Sequence, residues 1–283
     1  MSLTAIVEAD RYPILDPSSV AYGHAVEMAR VGLDADGCAV LGGFVLPEAV
    51  ERLATEARAL RPHTHYSVTG MNPYFSESDP SLGPRHPVNT FIERSSGFVP
   101  ADAWPSGTET ERLYRSSELR RFVAACLRLP ELHCFADPLA CLTVNVLDPG
   151  QQFTWHYDTN DFAVTLLLDE ASDGGRFEYV PDIRTEADEN YDGVQAVLEG
   201  DRGPVVSLDL RPGDLQIFRG RYSLHRVTRV GPDSPPRHAA IFAYTAEPGV
   251  IGRVERTRQL FGRVLPAHEE AETARIRSDS LRD

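Results

Sequence analysis

The chain has 283 residues and a formal net charge of −14, and all 28 of its basic residues are arginine. An acidic chain without a compensating basic block is not expected to bind nucleic acid or an anionic membrane. The absence of lysine excludes Schiff-base and pyridoxal-phosphate enzymes and P-loop nucleotide-binding sites, because each of these needs a lysine amine. It also means that arginine, whose planar guanidinium pairs with both oxygens, is expected to bind any carboxylate of a ligand.

The composition is that of a globular protein, with 42% hydrophobic and 25% charged residues, and we expect a single domain over residues 1–283. The four cysteines lack C-x-x-C spacing and are expected to be reduced thiols. We find no signal-peptide pattern, and no apolar run approaches the roughly 18 residues that span a bilayer. These features predict a cytoplasmic protein with a small-molecule substrate and no nucleic-acid or membrane partner, and a homodimer is compatible with them.

Residues 1–135 are expected to be helical and rich in loops. Apolar spacing predicts helices over residues 16–31, 47–60 and 108–128, with a turn and a short strand within 36–46. Residues 63–104 are rich in Pro, Ser, Asn and Gly and are predicted to form a long loop. Because a loop of this length in a compact domain is usually functional, we predict that it is a lid that becomes ordered on substrate binding.

Residues 136–250 contain short strand-like segments separated by turn signals such as Asp148-Pro-Gly150 and Gly231-Pro232. This pattern is typical of an antiparallel sandwich or jelly roll. The predicted fold class is therefore mainly β with flanking helices, built on a double-stranded β-helix (jelly-roll, cupin-like) core. An acidic, partly helical surface insert is expected at 183–201, and residues 251–283 are expected to form a helical tail. The predicted strands cover residues 140–147, 153–157, 162–168, 175–180, 205–210, 214–219, 225–230 and 237–245.

His156-x-Asp158 is the first part of a candidate metal site. In an extended chain, residues two apart point to the same side, so this imidazole and this carboxylate can reach one ion. A second histidine, His225, follows the turn and strand of residues 213–218 and lies 69 residues (225 − 156) after His156. Two histidines and one carboxylate on one face of an ion are typical of non-haem Fe(II) oxygenases. We therefore predict that His156, Asp158 and His225 are the ligands of a catalytic iron.

Arg237 lies twelve residues (237 − 225) after the second histidine and opens the last long strand. A cation at this position can bind the far carboxylate of a dicarboxylic keto acid whose other end chelates the metal. The alternative is a salt bridge at the edge of a strand, which contributes little to stability. Residues Ala239, Ile241 and Ala243 share a face with Arg237, so an apolar reacting part of the substrate is expected if that face lines the pocket.

With its motifs in this order, the sequence resembles the Fe(II)/2-oxoglutarate-dependent oxygenases over about residues 36–60 and 140–247. More narrowly, residues 156–165 and 174–181 resemble the branch that acts on free amino acids. That branch includes halogenases in which glycine replaces the ligand carboxylate, and because Asp158 is present the resemblance implies oxygenation rather than halogenation. The cofactors implied are Fe(II), 2-oxoglutarate and O₂. The implied reaction hydroxylates an unactivated C–H bond of a free amino acid or a derivative while 2-oxoglutarate is converted to succinate and CO₂.

Two positions depart from the pattern of many relatives, because Ala239 replaces a serine and Leu147 replaces a tyrosine. The remaining hydrogen bonds to 2-oxoglutarate are therefore expected from Asn145 or Thr165, for which an ordinary buried polar role is an equal alternative.

Substrate contacts are expected from polar residues in two places. The first is the predicted lid, and the second is the segment directly after the ligand carboxylate, with a surface loop and turn capping as the respective alternatives. The residues are Arg85, His86, Thr159, Asn160 and Asp161.

Three other functions remain open from the sequence. The same cofactors can support desaturation, cyclisation or epoxidation of a natural-product intermediate. A jelly roll can also be a non-catalytic ligand-binding protein. A cupin-like hydrolase or isomerase with another divalent ion is a third alternative, although such sites commonly add histidine ligands and the remaining histidines lack ligand-like spacing.

Overall fold

The chain forms mainly antiparallel sheets flanked by helices in the computed structural model, which describes residues 2–273 and 281–282. The helices are α1 (Val20–Asp36), α2 (Pro47–Ala59), α3 (Glu109–Arg115), α4 (Ser117–Leu127), α5 (Tyr191–Leu198), α6 (Val254–Phe261) and α7 (Pro266–Thr273). The strands are β1 (Cys38–Leu41), β2 (His65–Met71), β3 (Ile92–Val99), β4 (His133–Cys134), β5 (Leu142–Leu147), β6 (Phe153–His156), β7 (Ala163–Asp169), β8 (Phe177–Val180), β9 (Val206–Leu208), β10 (Leu215–Phe218), β11 (Leu224–Val227), β12 (Arg237–Phe242) and β13 (Tyr244–Thr245).

Two sheets carry the core of the fold. The larger one has the strand order β1-β10-β7-β12-β5-β3-β2, and the smaller one has the order β6-β11-β8-β9. The paired strands in both sheets are antiparallel. The predicted mainly β fold with flanking helices is confirmed. Strands β1, β2 and β3 come from the part of the chain expected to be helical and loop-rich, so the larger sheet crosses the expected division at residue 135.

The two faces of the larger sheet have different roles because side chains alternate along each strand. On β12, Ala240 and Phe242 pack in the main hydrophobic cluster under the helices. Arg237, Ala239 and Ile241 point to the other face and line a cavity between the two sheets. The same alternation holds on β5 and β7. One face of the larger sheet therefore packs against helices α1, α2, α3 and α4, and the opposite face is available for a site.

Local capping decides where the helices begin and end. Helix α1 begins at Val20, later than predicted, because the Ser19 hydroxyl accepts a hydrogen bond of 3.2 Å from the amide of Tyr22. The single helix predicted over 108–128 is wrong, since the structure contains α3 and α4 in its place. The hydroxyl of Ser116 accepts from the amide of Leu119 and so starts a new helix where the previous one ends.

The loop predicted over residues 63–104 is wrong for the two strands that it contains. Strands β2 and β3 pair in antiparallel register at the edge of the larger sheet, with His65 opposite Phe98 and Met71 opposite Ile92. The serines and glycines in these two segments interrupt the alternation of apolar residues by which strands are recognised in a sequence. The connection between them, residues 72–91, is irregular apart from a short 3₁₀-helix. That this segment acts as a lid stays a prediction.

The predicted C-terminal tail forms two short helices. Helix α6 packs against β2 and β3. Helix α7 is fixed by His268, whose Nε2 lies 3.2 Å from the buried Asp137 carboxylate. Residues 274–280 and 283 of the predicted tail lie outside the described residues. None of the described helices is long and apolar enough to cross a membrane.

Candidate metal centre

The structure brings His156, Asp158 and His225 together between the two sheets. One potential ligand atom from each lies within 4.8 Å of the others. The antiparallel pairing of β6 with β11 places His225 directly opposite His156. Asp158 follows the end of β6, and its Oδ1 lies 3.8 Å from Nε2 of His156 and 3.4 Å from Nε2 of His225.

Both imidazoles are oriented by backbone carbonyls two residues before them. Nδ1 of His156 lies 2.8 Å from the carbonyl oxygen of Thr154, and Nδ1 of His225 lies 2.9 Å from that of Ser223. A carbonyl oxygen can only accept, so Nδ1 carries the proton and the Nε2 lone pair faces the shared point. Burial lowers the pKa of His156 well below its usual range, which keeps its imidazole neutral and able to bind a metal.

The Asp158 carboxylate fits its place because residue 220 is a glycine. The Asp158 amide donates a 2.9 Å hydrogen bond to the carbonyl oxygen of Gly220. A Cβ atom on Gly220 would lie 1.8 Å from Oδ2 of Asp158. Burial raises the pKa of the Asp158 carboxyl, but the neighbouring imidazoles outweigh burial and lower this pKa to about 2. The carboxylate is therefore anionic at neutral pH. The sequence analysis missed Gly220, which has no local pattern that distinguishes it.

The three residues line a cavity of about 100 Å³, here called the inner cavity, whose other walls come from strands of both sheets. Arg237 lines it and is buried, and among the described residues no carboxylate pairs with it. Burial lowers the pKa of Arg237 to about 10, so the guanidinium is still charged at neutral pH. A buried cation without a counter-ion is costly, so this cavity favours an anionic ligand. A larger groove on the other side of Arg237 lacks the three candidate ligands.

The predicted cosubstrate contacts Asn145 and Thr165 also line the inner cavity. The side-chain amide of Asn145 donates to the carbonyl oxygen of Gly97 at 3.4 Å, and the Thr165 hydroxyl donates to Oε1 of Gln216 at 3.0 Å. Gln216 is a buried lining residue that the sequence analysis missed. Its position in β10, directly opposite Thr165 in register, was the available signal.

A second cavity of about 150 Å³, here called the outer cavity, opens on the other side of Asp158. The two cavities share four lining residues, which are Phe153, Asp158, Ala163 and Ile241. The predicted substrate residues Thr159 and Asn160 line the outer cavity, whereas the Asp161 side chain is 74% exposed. A ligand in the outer cavity would therefore lie next to the three candidate metal ligands.

The structure does not bring Arg85 and His86 to either cavity. The Arg85 side chain is 82% exposed, and its Nη1 lies 3.8 Å from Oε1 of Glu199. The His86 ring lies 4.3 Å from the Tyr191 ring, and its Nδ1 accepts a hydrogen bond from the Val88 amide. In this conformation both residues lie against the α5 region. Their predicted substrate contact stays a prediction.

Two further residues at the site were missed by the sequence analysis. Phe75 has a left-handed backbone (φ +56°), which is costly for an aromatic residue. In this conformation its ring centroid lies 5.7 Å from that of His156. Arg256, from α6, lines the outer cavity and lies over the Phe75 ring, with 3.2 Å between the guanidinium carbon and the ring centroid. Irregular backbone and a distant helix supply these two residues, so no local motif could indicate them.

This set of donors fits a divalent iron. Two imidazoles and one carboxylate would form one side of a coordination sphere, and the inner and outer cavities leave the other side accessible to ligands. Carbonyl groups orient both imidazoles, as is usual for histidines that bind metals.

A model of the HalD (Halogenase D) family matches residues 98–251, which are 154 of the 283 residues (251 − 98 + 1). No curated protein sequence matches the chain.

Several solved structures share the fold. An oxidoreductase of the 2OG-Fe(II) oxygenase family from Burkholderia pseudomallei is 14% identical, with a TM-score of 0.52, over 80% of this chain and 92% of that protein. The non-haem alpha-ketoglutarate-dependent epimerase SnoN from nogalamycin biosynthesis is 18% identical, with a TM-score of 0.52, over 79% and 83%. AviO1 from Streptomyces viridochromogenes Tue57 is 18% identical, with a TM-score of 0.51, over 82% and 98%. The predicted jelly-roll fold class is confirmed by this likeness.

Proposed function

The chain belongs to the Halogenase D family, within the Fe(II)/2-oxoglutarate-dependent oxygenases, and from this premise we propose that it hydroxylates a free amino acid or a derivative. One observation carries the proposal. An intact set of His156, Asp158 and His225 lies between an inner cavity that contains an unpaired guanidinium and an outer cavity with largely apolar walls.

The three residues would hold Fe(II), with Nε2 of each histidine and one oxygen of Asp158 as ligand atoms. Bound iron and 2-oxoglutarate supply the oxidising power for attack on a C–H bond, with succinate and CO₂ as the products of the cosubstrate. The protein supplies orientation and excludes water. Phe153 stacks on His156 with 4.0 Å between ring centroids and forms a wall of both cavities.

The inner cavity would bind 2-oxoglutarate. Arg237 would pair with the carboxylate farther from the metal, where a guanidinium can donate to both oxygens. Asn145, Thr165 and Gln216 line the same cavity. The side-chain amides of Asn145 and Gln216 each have a second N–H that can donate, whereas the Thr165 hydroxyl already donates to Gln216. Ala239, at the position where many relatives carry a serine, leaves these residues as the polar lining near Arg237.

Hydroxylation is favoured over halogenation by the chemistry of position 158. A halide ligand needs the coordination position that a carboxylate otherwise occupies. Here Asp158 would occupy that position, and the glycine at 220 leaves the space that its carboxylate needs. The outer cavity, next to Asp158, would then hold the substrate with its reacting C–H bond towards the iron.

The test is turnover with Fe(II), 2-oxoglutarate and O₂ in chloride buffer, with each proteinogenic amino acid supplied singly. We expect at least one amino acid to give succinate in equal amount to a product heavier by one oxygen atom. The Asp158→Ala variant should give neither. A chlorinated product would contradict hydroxylation, and a product lighter by two hydrogens would indicate desaturation. If no amino acid stimulates succinate formation by the iron-loaded protein, the proposed substrate class is wrong.

A further inference from the structure

The outer cavity contains a cation, Arg256, that has no hydrogen-bonded anion among the described residues, since Asp158 acts on it through its charge alone. Nη1 of Arg256 is buried and has no hydrogen-bond partner among the described residues. The structure shows no ion pair of Arg256 within the described part of the chain, although its guanidinium lies over the Phe75 ring. Burying a guanidinium without a hydrogen-bonded anion costs free energy, so a position of this kind is typical of ligand binding rather than of structural stabilisation.

A second buried cation increases the electrostatic demand for an anion here. Arg94, on β3, is buried and donates to the Ser67 hydroxyl and to the Gln259 carbonyl oxygen, both of which are neutral acceptors. Arg94 lies 5.6 Å and Arg256 lies 6.0 Å from the Phe153 ring centroid. Asp158 is the one carboxylate among the described residues that lines the outer cavity, and its charge would be shared with a bound metal ion. The region therefore carries uncompensated positive charge.

Most of the remaining wall of the outer cavity is apolar. Its walls include Phe98, Ile241, Leu260 and Phe261, together with the aromatic ring that stacks on His156. The volume of about 150 Å³ suits a small molecule. One charged group is thus expected at Arg256, while an apolar part of the same molecule lies against these walls and reaches Asp158.

We infer that Arg256 anchors the substrate's carboxylate, so that the C-terminal helix α6 sets which carbon of a small, otherwise largely apolar acid faces the iron. The choice of the reacting carbon rests on the proposed function, whereas the binding of a carboxylate by Arg256 does not depend on it. The inference assigns a substrate-binding residue outside the jelly-roll strands. It also distinguishes the role of Arg237, which serves the cosubstrate in the inner cavity, from that of Arg256, which serves the substrate in the outer cavity.

The experiment is isothermal titration calorimetry of the full-length, metal-free protein with the twenty proteinogenic L-amino acids and with the carboxamides of those that bind. The proteins compared are wild type, Arg256→Gln, Arg256→Lys and Arg258→Gln. Arg258 is a matched control because it lies on the same helix with an exposed side chain. Inorganic phosphate is titrated as a competing anion.

We expect an amino acid to bind wild type and Arg258→Gln equally, and to bind Arg256→Gln about 10- to 100-fold more weakly, because charge-assisted hydrogen bonds are lost. The carboxamide should bind wild type more weakly by a similar factor and should be insensitive to Arg256→Gln. Arg256→Lys should recover part of the affinity. The comparison of acid with amide uses wild type alone, so it remains decisive if the glutamine variant fails to fold.

Equal binding of acid and amide to wild type overturns the inference, as does an unchanged dissociation constant in folded Arg256→Gln. Failure of every amino acid to bind wild type also overturns it, and phosphate binding at Arg256 in that case would assign the site to phosphate esters. Because metal-free protein is used, Arg256-dependent binding without turnover would refute the proposed function and leave the inference standing. Turnover of an acid whose binding does not depend on Arg256 would refute the inference and leave the proposed function standing.

Discussion

Gly220→Ala tests whether the carboxylate of Asp158 needs the space that residue 220 leaves. The added Cβ would lie 1.8 Å from Oδ2, 2.6 Å from Cγ and 2.9 Å from Cβ of Asp158. Since carbon and oxygen atoms not bonded to each other normally lie at least about 3.2 Å apart, the carboxylate must move by about 1.4 Å. Metal–ligand distances tolerate only about 0.2 Å, so we expect metal affinity to fall at least 10- to 100-fold, or about 1.4 to 2.8 kcal/mol.

The assay is anaerobic titration of Fe(II), or of redox-inert Mn(II), into wild type, Gly220→Ala and two control variants. Gly23→Ala is the matched control, because no atom lies within 4 Å of the Cβ position at Gly23. Asp158→Ala gives the affinity that remains without the carboxylate, and combining it with Gly220→Ala should weaken binding no further. The backbone at Gly220 is not left-handed, so the metal-free variant should melt within a few degrees of wild type. Wild-type metal affinity in Gly220→Ala would refute the reasoning.

Three further predictions concern Arg237, Asp169 and Asn72. Arg237→Gln should abolish the rise in melting temperature that 2-oxoglutarate gives the Mn(II)-loaded protein. It should not lower the melting temperature of the metal-free protein, because no internal ion pair is lost. A marked loss of stability in the metal-free variant would contradict this prediction. Burial raises the pKa of Asp169, but hydrogen bonds from His238 and Arg58 outweigh it and lower that pKa from 3.8 to about 2. Its stabilising effect is therefore complete above pH 3.8 and is lost as the pH falls towards 2. After allowance for solvent screening, Asp169→Asn should lower the free energy of unfolding in urea by about 1 kcal/mol at pH 5, and this difference from wild type should shrink as the pH falls towards 2. A difference that does not change between pH 5 and pH 2 would contradict it. The side chain of Asn72 accepts hydrogen bonds from the amides of residues 74 and 76 and donates to the carbonyl oxygens of residues 76 and 88. Asn72→Ala should therefore destabilise the fold by about 2 to 4 kcal/mol and speed amide hydrogen exchange in residues 72–76. Unchanged exchange in residues 72–76 would show that Asn72 does not hold this segment in place.

Much of the fold was predictable because the core strands carry a clear apolar alternation. The segments that became β5, β7 and β12 bury alternate residues under the helices, and this period is visible in the sequence. By contrast, the edge strand β2 and its neighbour β3 contain several serines and glycines, so their place in the sheet depends on the pairing of β3 with β5 rather than on local propensity. The break between α3 and α4 depends on one serine cap, which apolar spacing does not report.

The candidate ligands were predictable for a related reason. His156 and Asp158 are two residues apart on one segment, and His225 follows a recognisable turn and strand. Residues that reach the site by folding alone could not be found in this way. Arg256 comes from a helix after the last core strand, Phe75 depends on a left-handed backbone, and Gly220 matters only through the side chain that it faces.

The most direct test of the central claim is the visible spectrum of the protein after anaerobic addition of Fe(II) and then 2-oxoglutarate. Chelation of the keto acid to iron held by His156, Asp158 and His225 should produce a weak metal-to-ligand charge-transfer band. The band should be absent in Asp158→Ala, and in Arg237→Ala it should require much more 2-oxoglutarate. A folded wild-type protein that binds Fe(II) but shows no band at saturating 2-oxoglutarate would contradict the account.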